Sequence, residues 1–96
     1  MIRLSAIGNL GNDAEVKQIE KAVIISFSVA VQEGYGDKKK TVWLNCSKFE
    51  KPDSDAKIAQ YLTKGTKVYV DGSPSVRAYD GGASLDLKVN NVELLG

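Results

Sequence analysis

The stretch from Thr41 to Phe49 alternates in chemistry. Its odd positions are Thr41, Trp43, Asn45, Ser47 and Phe49, two large rings separated by small polar side chains. Its even positions, Val42, Leu44 and Cys46, are plainly apolar. A period of two is the signature of a half-buried strand, so both rings fall on one face. Their separation along a strand is roughly 20 Å. Rings so far apart cannot pair with each other. They can act as separate platforms for flat ligands such as nucleobases, each stacked base contributing about 1–3 kcal/mol whatever its identity. On this strand alone the opposite assignment is also open, with the odd face inward and both rings in a core. Asn45 and Ser47 between the rings weigh against it.

Two further aromatics stand where a core cannot reach them. Tyr35 lies in the loop Gly34-Tyr35-Gly36-Asp37, and Tyr79 lies beside the turn Asp80-Gly81-Gly82. Tyr61 and Tyr69 sit in element interiors and read as packing residues. Basic side chains neighbour the first group. Lys38, Lys39 and Lys40 follow Tyr35, Lys48 and Lys51 flank Phe49, Arg77 precedes Tyr79 on the same face, and Arg3 opens the first strand. Any one lysine is ordinarily a solvated surface charge. Interleaved with aromatics, the set reads as a phosphate-and-base surface despite a net charge of only +1.

Other chemistries lack their parts. Histidine is absent and Cys46 is the sole cysteine. No zinc site, no Ser-His or Cys-His nucleophile and no internal disulfide can be built from that set. Cys46 reads as a buried, inert thiol. No glycine-rich phosphate loop leads to a lysine, and neither an enzyme nor a cofactor is expected. Asn45-Cys46-Ser47 matches a glycosylation sequon by chance, since no secretory leader is visible. No apolar run approaches the roughly 20 residues that span a membrane, and the expected compartment is the cytoplasm.

The elements that must position these residues are mostly strands. Ile2–Ile7 is β-rich, and Gly8 and Gly11 interrupt a pattern that resumes at Val16 and Ile19, as a bent barrel strand would. From Ala22 to Glu33, Val23, Ile25, Phe27, Val29 and Val31 alternate with Ser26, Ser28, Ala30 and Gln32. The third strand runs from about Thr41 to Phe49. Asp53, Ser54 and Asp55 offer N-cap chemistry for a short helix with Ile58 and Leu62 at i, i+4, stopped by Lys64-Gly65. A long strand from Val68 to Tyr79 then turns back through Leu85, Leu87 and Val89. The apolar parity flips to Val92 and Leu94, which predicts a bulge near Asn90-Asn91. Three strands, a helix between strands 3 and 4, and two more strands is the order of an all-β, five-stranded OB-fold Greek-key barrel. With 96 residues, residues 1–96 form one domain.

The same residues resemble the bacterial single-stranded DNA-binding protein family over nearly the whole chain. Ile7-Gly8-Asn9-Leu10-Gly11-Asn12-Asp13-Ala14-Glu15-Val16 is similar to that family's first-strand signature, with alanine at 14 where proline is common. Ser28-Val29-Ala30-Val31, Val42-Trp43-Leu44 with Phe49, and Val92-Glu93-Leu94-Leu95-Gly96 also fit. Tyr61 to Gly72 is the most specific stretch. The resemblance implies an OB fold, sequence-tolerant single-stranded DNA binding, service in replication, recombination or repair, and a homo-oligomer, with a tetramer favoured over a dimer. It maps stacking positions onto Trp43, Phe49, Tyr35 and Tyr79, and basic contacts onto Arg3, Lys51, Lys64 and Arg77.

There are departures from the pattern. The Tyr35 loop is short, and Leu44 stands where many members carry an interface histidine. The sequence stops at Gly96, whereas typical members continue into an acidic-tipped tail that recruits other proteins, so tail-mediated recruitment is not expected. The competing reading is a tail-less, primosome-type OB-fold protein acting mainly through protein–protein contacts.

Overall fold

The computed structural model describes residues 1–96. Its strands are β1 (Leu4–Leu10), β2 (Glu15–Ile19), β3 (Ala22–Glu33), β4 (Lys40–Glu50), β5 (Lys67–Tyr79) and β6 (Gly82–Leu94). They form one sheet in the order β1-β5-β6-β4-β3-β2, and β1 also pairs with β3 to close it. All pairings are antiparallel except β4–β6, where Leu44 to Ser47 run alongside Leu85 to Lys88. This closed Greek-key path is the OB barrel. β1 and β2 are the two halves of its first strand.

Alternation sets what lies inside. Val23, Ile25, Phe27 and Val29 of β3 are buried, as are Leu44 and Cys46 of β4, Val68 and Val70 of β5, and Leu87, Val89 and Val92 of β6. Fully burying each such side chain contributes about 1.5–3 kcal/mol. The bulge falls where the parity flip placed it. Asp71 pairs with Asn91 and Gly72 with Val89, leaving Asn90 as the extra residue. It returns Val92 to the interior after Val89.

Two expectations need correction. The first strand does not bend through Gly8 and Gly11 as one element; it breaks at Gly11 and resumes at Glu15. Around the break the backbone pairs elsewhere: Leu10 N–H donates to Thr66 O, Gly11 N–H to Ser28 O and Ala14 N–H to Leu62 O, at 2.8–3.0 Å. The helix between strands 3 and 4 is a single 3-10 turn, Lys57–Tyr61. Its bonds are of the i to i+3 kind, Ala59 N–H to Ala56 O and Leu62 N–H to Ala59 O. Five residues entered through a left-handed Ala56 (φ 51°) are too few to repay α-helix nucleation. The predicted cap acts one step earlier, where Ser54 Oγ accepts the Ala56 amide hydrogen (3.1 Å). Leu62 still reaches the core, fully buried.

Candidate nucleic-acid interface

The face of β4 opposite the core carries Thr41, Trp43, Asn45, Ser47 and Phe49. Trp43 is 53% exposed and Phe49 47%, against 2% for Leu44 and 1% for Cys46. The barrel interior is therefore on the even face, and the alternative with both rings in the core is excluded. Register builds the surroundings. On the β3 side, Ala30 is opposite Trp43, Ser28 opposite Asn45, Ser26 opposite Ser47 and Ile24 opposite Phe49. On the β6 side, Asp86 stands beside Asn45 and Lys88 beside Ser47. Between the rings lies an open polar trough lined by Asn12, Glu15, Ser26, Ser28, Asn45 and Ser47.

Each ring is held differently. Trp43 lies over Gly11: a methyl placed on that glycine would collide with Cζ3 and come within 3.0 Å of Cη2. Phe49 carries the Lys88 ammonium 5.2 Å from its ring centroid, within cation–π range. Tyr79, 61% exposed, ends β5 opposite Gly82, and its ring folds back across that residue. Tyr35 is 87% exposed in the β3–β4 loop and leans on no other element. Glu33 pairs with Lys40 at the base of that loop, and Leu44 lies beside Leu85. Both the Tyr35 loop and the Tyr79 ribbon thus spring from the Trp43 end of β4.

The cations divide into free and tethered. Arg77 Nε lies 3.1 Å from Asp86 Oδ2, and Asp86 also accepts from Asn45 Nδ2 (3.4 Å) and Ser84 Oγ (3.3 Å). Arg3 precedes β1 and is tied to Asp71 at 3.1 Å, with β5 and β6 between it and β4. Asp71 also accepts the Tyr69 hydroxyl (3.1 Å), and that hydrogen bond raises the phenol's pKa. Lys51 is exposed just past the Phe49 end of β4. Lys64 is exposed beside the Gly11–Asn12 corner, its amide donating to Asp13 Oδ1 (2.8 Å). Trp43, Phe49 and Arg77 thus meet around one surface, Lys51 and Lys64 border it, and Arg3 stands apart.

Some sequence assignments change. Lys48 does not flank Phe49 in space; it is on the opposite face of β4, paired with Glu50 at 2.8 Å. Tyr61 is not a packing residue, being 57% exposed, because the 3-10 turn points it away from the barrel. Lys88, Asp86 and Asn12 were missed. Outward parity in Leu85-Asp86-Leu87-Lys88-Val89 marks the first two as surface, but only the parallel β4–β6 register brings them beside Asn45 and Ser47. Cys46 is buried as read, and desolvation pushes its thiol up to about 12, so it stays protonated and inert at neutral pH.

Comparisons with known proteins point to one family. The family model described as "Single-strand binding protein family" matches residues 1–95. The single-stranded DNA-binding protein of Neisseria meningitidis serogroup A is 34% identical over 102 residues, covering 94% of this chain and 57% of that protein. Single-stranded DNA-binding protein 1 of Chlorobaculum tepidum is 29% identical over 92 residues, covering 90% and 56%. The chain thus spans just over half the length of these curated relatives. The crystal structure of a small single-stranded DNA-binding protein from Streptomyces coelicolor superposes with a TM-score of 0.80 at 19% identity, covering 98% of this chain and 92% of that one. On the match over residues 1–95, carried by a barrel whose outer face bears exposed rings around a polar trough, the chain belongs to the single-strand binding protein family.

Proposed function

We propose that the chain binds single-stranded DNA with little sequence preference, stacking bases on Trp43 and Phe49 and, toward the tips, on Tyr79 and Tyr35. The observation that carries this reading is the outer face of β4, where two half-exposed rings bracket a trough lined mainly by neutral donors and acceptors. Glu15 lines that trough and Asp86 stands at its margin. Carboxylates repel phosphate, which favours bases inward and backbone outward. Lys51, Lys64, Lys88 and Arg77 border the face where phosphates would run, and Arg3 would serve only a strand that continues across β5. Protection of single strands during replication, recombination or repair is the use that follows, with no catalytic step and no cofactor.

A homo-oligomer, tetrameric rather than dimeric, completes the proposal. β1 pairs with β3 only through Asn9 and Leu10, so its Leu4–Ile7 edge is open to another strand. Ile7 nearby is 52% exposed. The primosome-type reading has one observation in its favour: the two arginines assigned to phosphate are already paired with aspartates.

Titration with oligo-dT at several salt concentrations tests the function. Log affinity should fall with log salt by about 0.7 per phosphate neutralised, and duplex should bind far more weakly. Salt-independent binding, or equal affinity for duplex, would favour the protein-contact reading instead. Light scattering with and without oligo-dT should give a mass four times that of the chain; a concentration-independent monomer would refute the assembly.

A further inference from the structure

We propose that the Gly11–Asn12 corner is the seat that fixes the Trp43 ring for stacking, making Gly11 and Asn12 positioning residues for the DNA-binding face. The inference rests on the functional reading above and deepens it. Gly11 has no positive φ, so its backbone conformation does not demand glycine. What demands it is space. A Cβ there would run into Cζ3 of Trp43 and lie 3.0 Å from Cη2 and 3.2 Å from Ser28 Oγ. The Cζ3–Cη2 edge of the indole therefore rests against bare backbone, while Trp43 as a whole stays 53% exposed.

Asn12 holds that backbone in place. Its Oδ1 accepts from both the amide (3.1 Å) and the hydroxyl (2.7 Å) of Ser28. Gly11 N–H donates to Ser28 O (3.0 Å). Both main-chain groups of Ser28 are thus claimed by the corner, in the gap where β1 has ended and β2 has not begun. Ser28 is opposite Asn45, and Ala30 is opposite Trp43. The corner is consequently latched to β3 directly beside the ring it supports. A ring already held in its stacking orientation loses less freedom when a base arrives.

The ribbon tip repeats the device. Gly82 also lacks a positive φ, and a Cβ on it would lie 3.1 Å from Oη and 3.3 Å from Cζ of Tyr79. Gly8 and Gly72 meet neighbouring backbone instead. An aromatic over a cross-strand glycine is a known way to restore packing to a sheet. Here the two glycines that underlie rings are those beneath candidate stacking residues.

Trp43 is the only tryptophan, so its fluorescence reads the seat without DNA. Gly11→Ala and Asn12→Ala should lower its anisotropy and shift its emission to the red in the free protein. Asn12→Asp keeps the acceptor and should restore both. Gly11→Ala should weaken oligo-dT binding at least about fivefold, a substantial share of one base stack. In a Trp43→Ala background the same change should alter affinity by less than about twofold, because the two residues act as one unit. Unchanged emission and anisotropy in Gly11→Ala would overturn the proposal. So would an equal loss of affinity with and without the tryptophan. Should Gly11→Ala fail to fold, the Gly11→Ala/Trp43→Ala protein should fold, since the collision is gone; failure of both would also overturn it. If the wild-type protein binds no oligo-dT, the functional reading fails, and the free-protein spectra still decide the seat.

Discussion

Trp43 and Tyr35 belong to the same β3–β4 hairpin and are both exposed, yet they are held in opposite ways. Trp43 projects from a strand paired on both sides, by β3 and by β6, and rests on Gly11. Tyr35 projects from a loop between Gly34 (φ 85°) and Gly36 (φ 63°), and the space around it is lined by its own loop, residues 34–38. Phe49 is rooted like Trp43, on the same strand with Lys88 above it. Tyr79 is intermediate, at the end of a ribbon whose last part has no third strand but with Gly82 beneath its ring. Exposure alone does not rank these rings as platforms. What ranks them is how much order each must still acquire when a base stacks on it.

The rooted pair depends on the inner face of the strand that bears it, and the two faces of β4 should fail differently. Leu44→Ala removes a fully interior side chain and should cost about 2–5 kcal/mol of stability in urea melts. It should leave the oligo-dT affinity of the folded fraction within about threefold. Trp43→Ala and Phe49→Ala should reverse the balance. Each should weaken oligo-dT binding by about 1–3 kcal/mol and cost only about 1 kcal/mol of stability, because about half of each ring is open. Saturable quenching of Trp43 fluorescence should accompany binding. If Trp43→Ala destabilised the protein as much as Leu44→Ala, the rings would be packing residues and the distinction would collapse.

That two-faced strand was legible in the sequence because its cause is local. Side chains alternate along a strand, and Val42, Leu44 and Cys46 against Trp43, Asn45 and Phe49 declare which face is wet. The Asn90 bulge was legible for the same reason, as a change of parity between Val89 and Val92. The break at Gly11 was only half visible: two glycines announced an irregularity, but the carbonyls that claim the freed backbone belong to Ser28, Leu62 and Thr66, all distant in sequence. Helical spacing at Ile58 and Leu62 suggested an α-helix, and a left-handed Ala56 and the short span made it a 3-10 turn. The pairs Arg77–Asp86 and Lys88–Phe49 were illegible, since they exist only through the β4–β6 and β5–β6 registers. The site was therefore readable in its aromatics and mostly unreadable in its electrostatics.

A smaller effect tests the inner face from beneath the trough. Cys46 is 1% exposed, and burial raises its thiol from 9.0 to about 12. Above pH 9 the unfolded chain loses this proton while the folded chain keeps it. The folded state then binds more protons than the unfolded one, so stability must fall as pH rises between about 9 and 12, by at most about 1.4 kcal/mol per pH unit. Below pH 9 the group contributes no slope. Urea melts at pH 8 and pH 10.5 should show a steeper loss in the wild type than in Cys46→Ala. Equal slopes would mean that the thiol is reached by water, and with it that β4 is less firmly rooted than its burial implies.

Tyr35 gives the smallest expected effect and the sharpest test of the ranking. Its stack on a base is worth about 1–3 kcal/mol in principle, but fixing a side chain that nothing yet supports costs about 0.5–1.5 kcal/mol. The remainder, about 0.5–1.5 kcal/mol, should be smaller than for a ring already held in place. Tyr35→Ala should therefore weaken binding less than Tyr79→Ala, and Tyr79→Ala less than Trp43→Ala. Stability should not change, since the ring is 87% exposed and contributes no burial. The deficit should appear only with oligo-dT long enough to run past the Trp43 end of β4 to the loop, and vanish with shorter strands that reach Trp43 and Phe49 alone. A loss equal to that of Trp43→Ala, or one independent of oligonucleotide length, would show that the loop is ordered before DNA arrives and that seated and unseated rings serve alike.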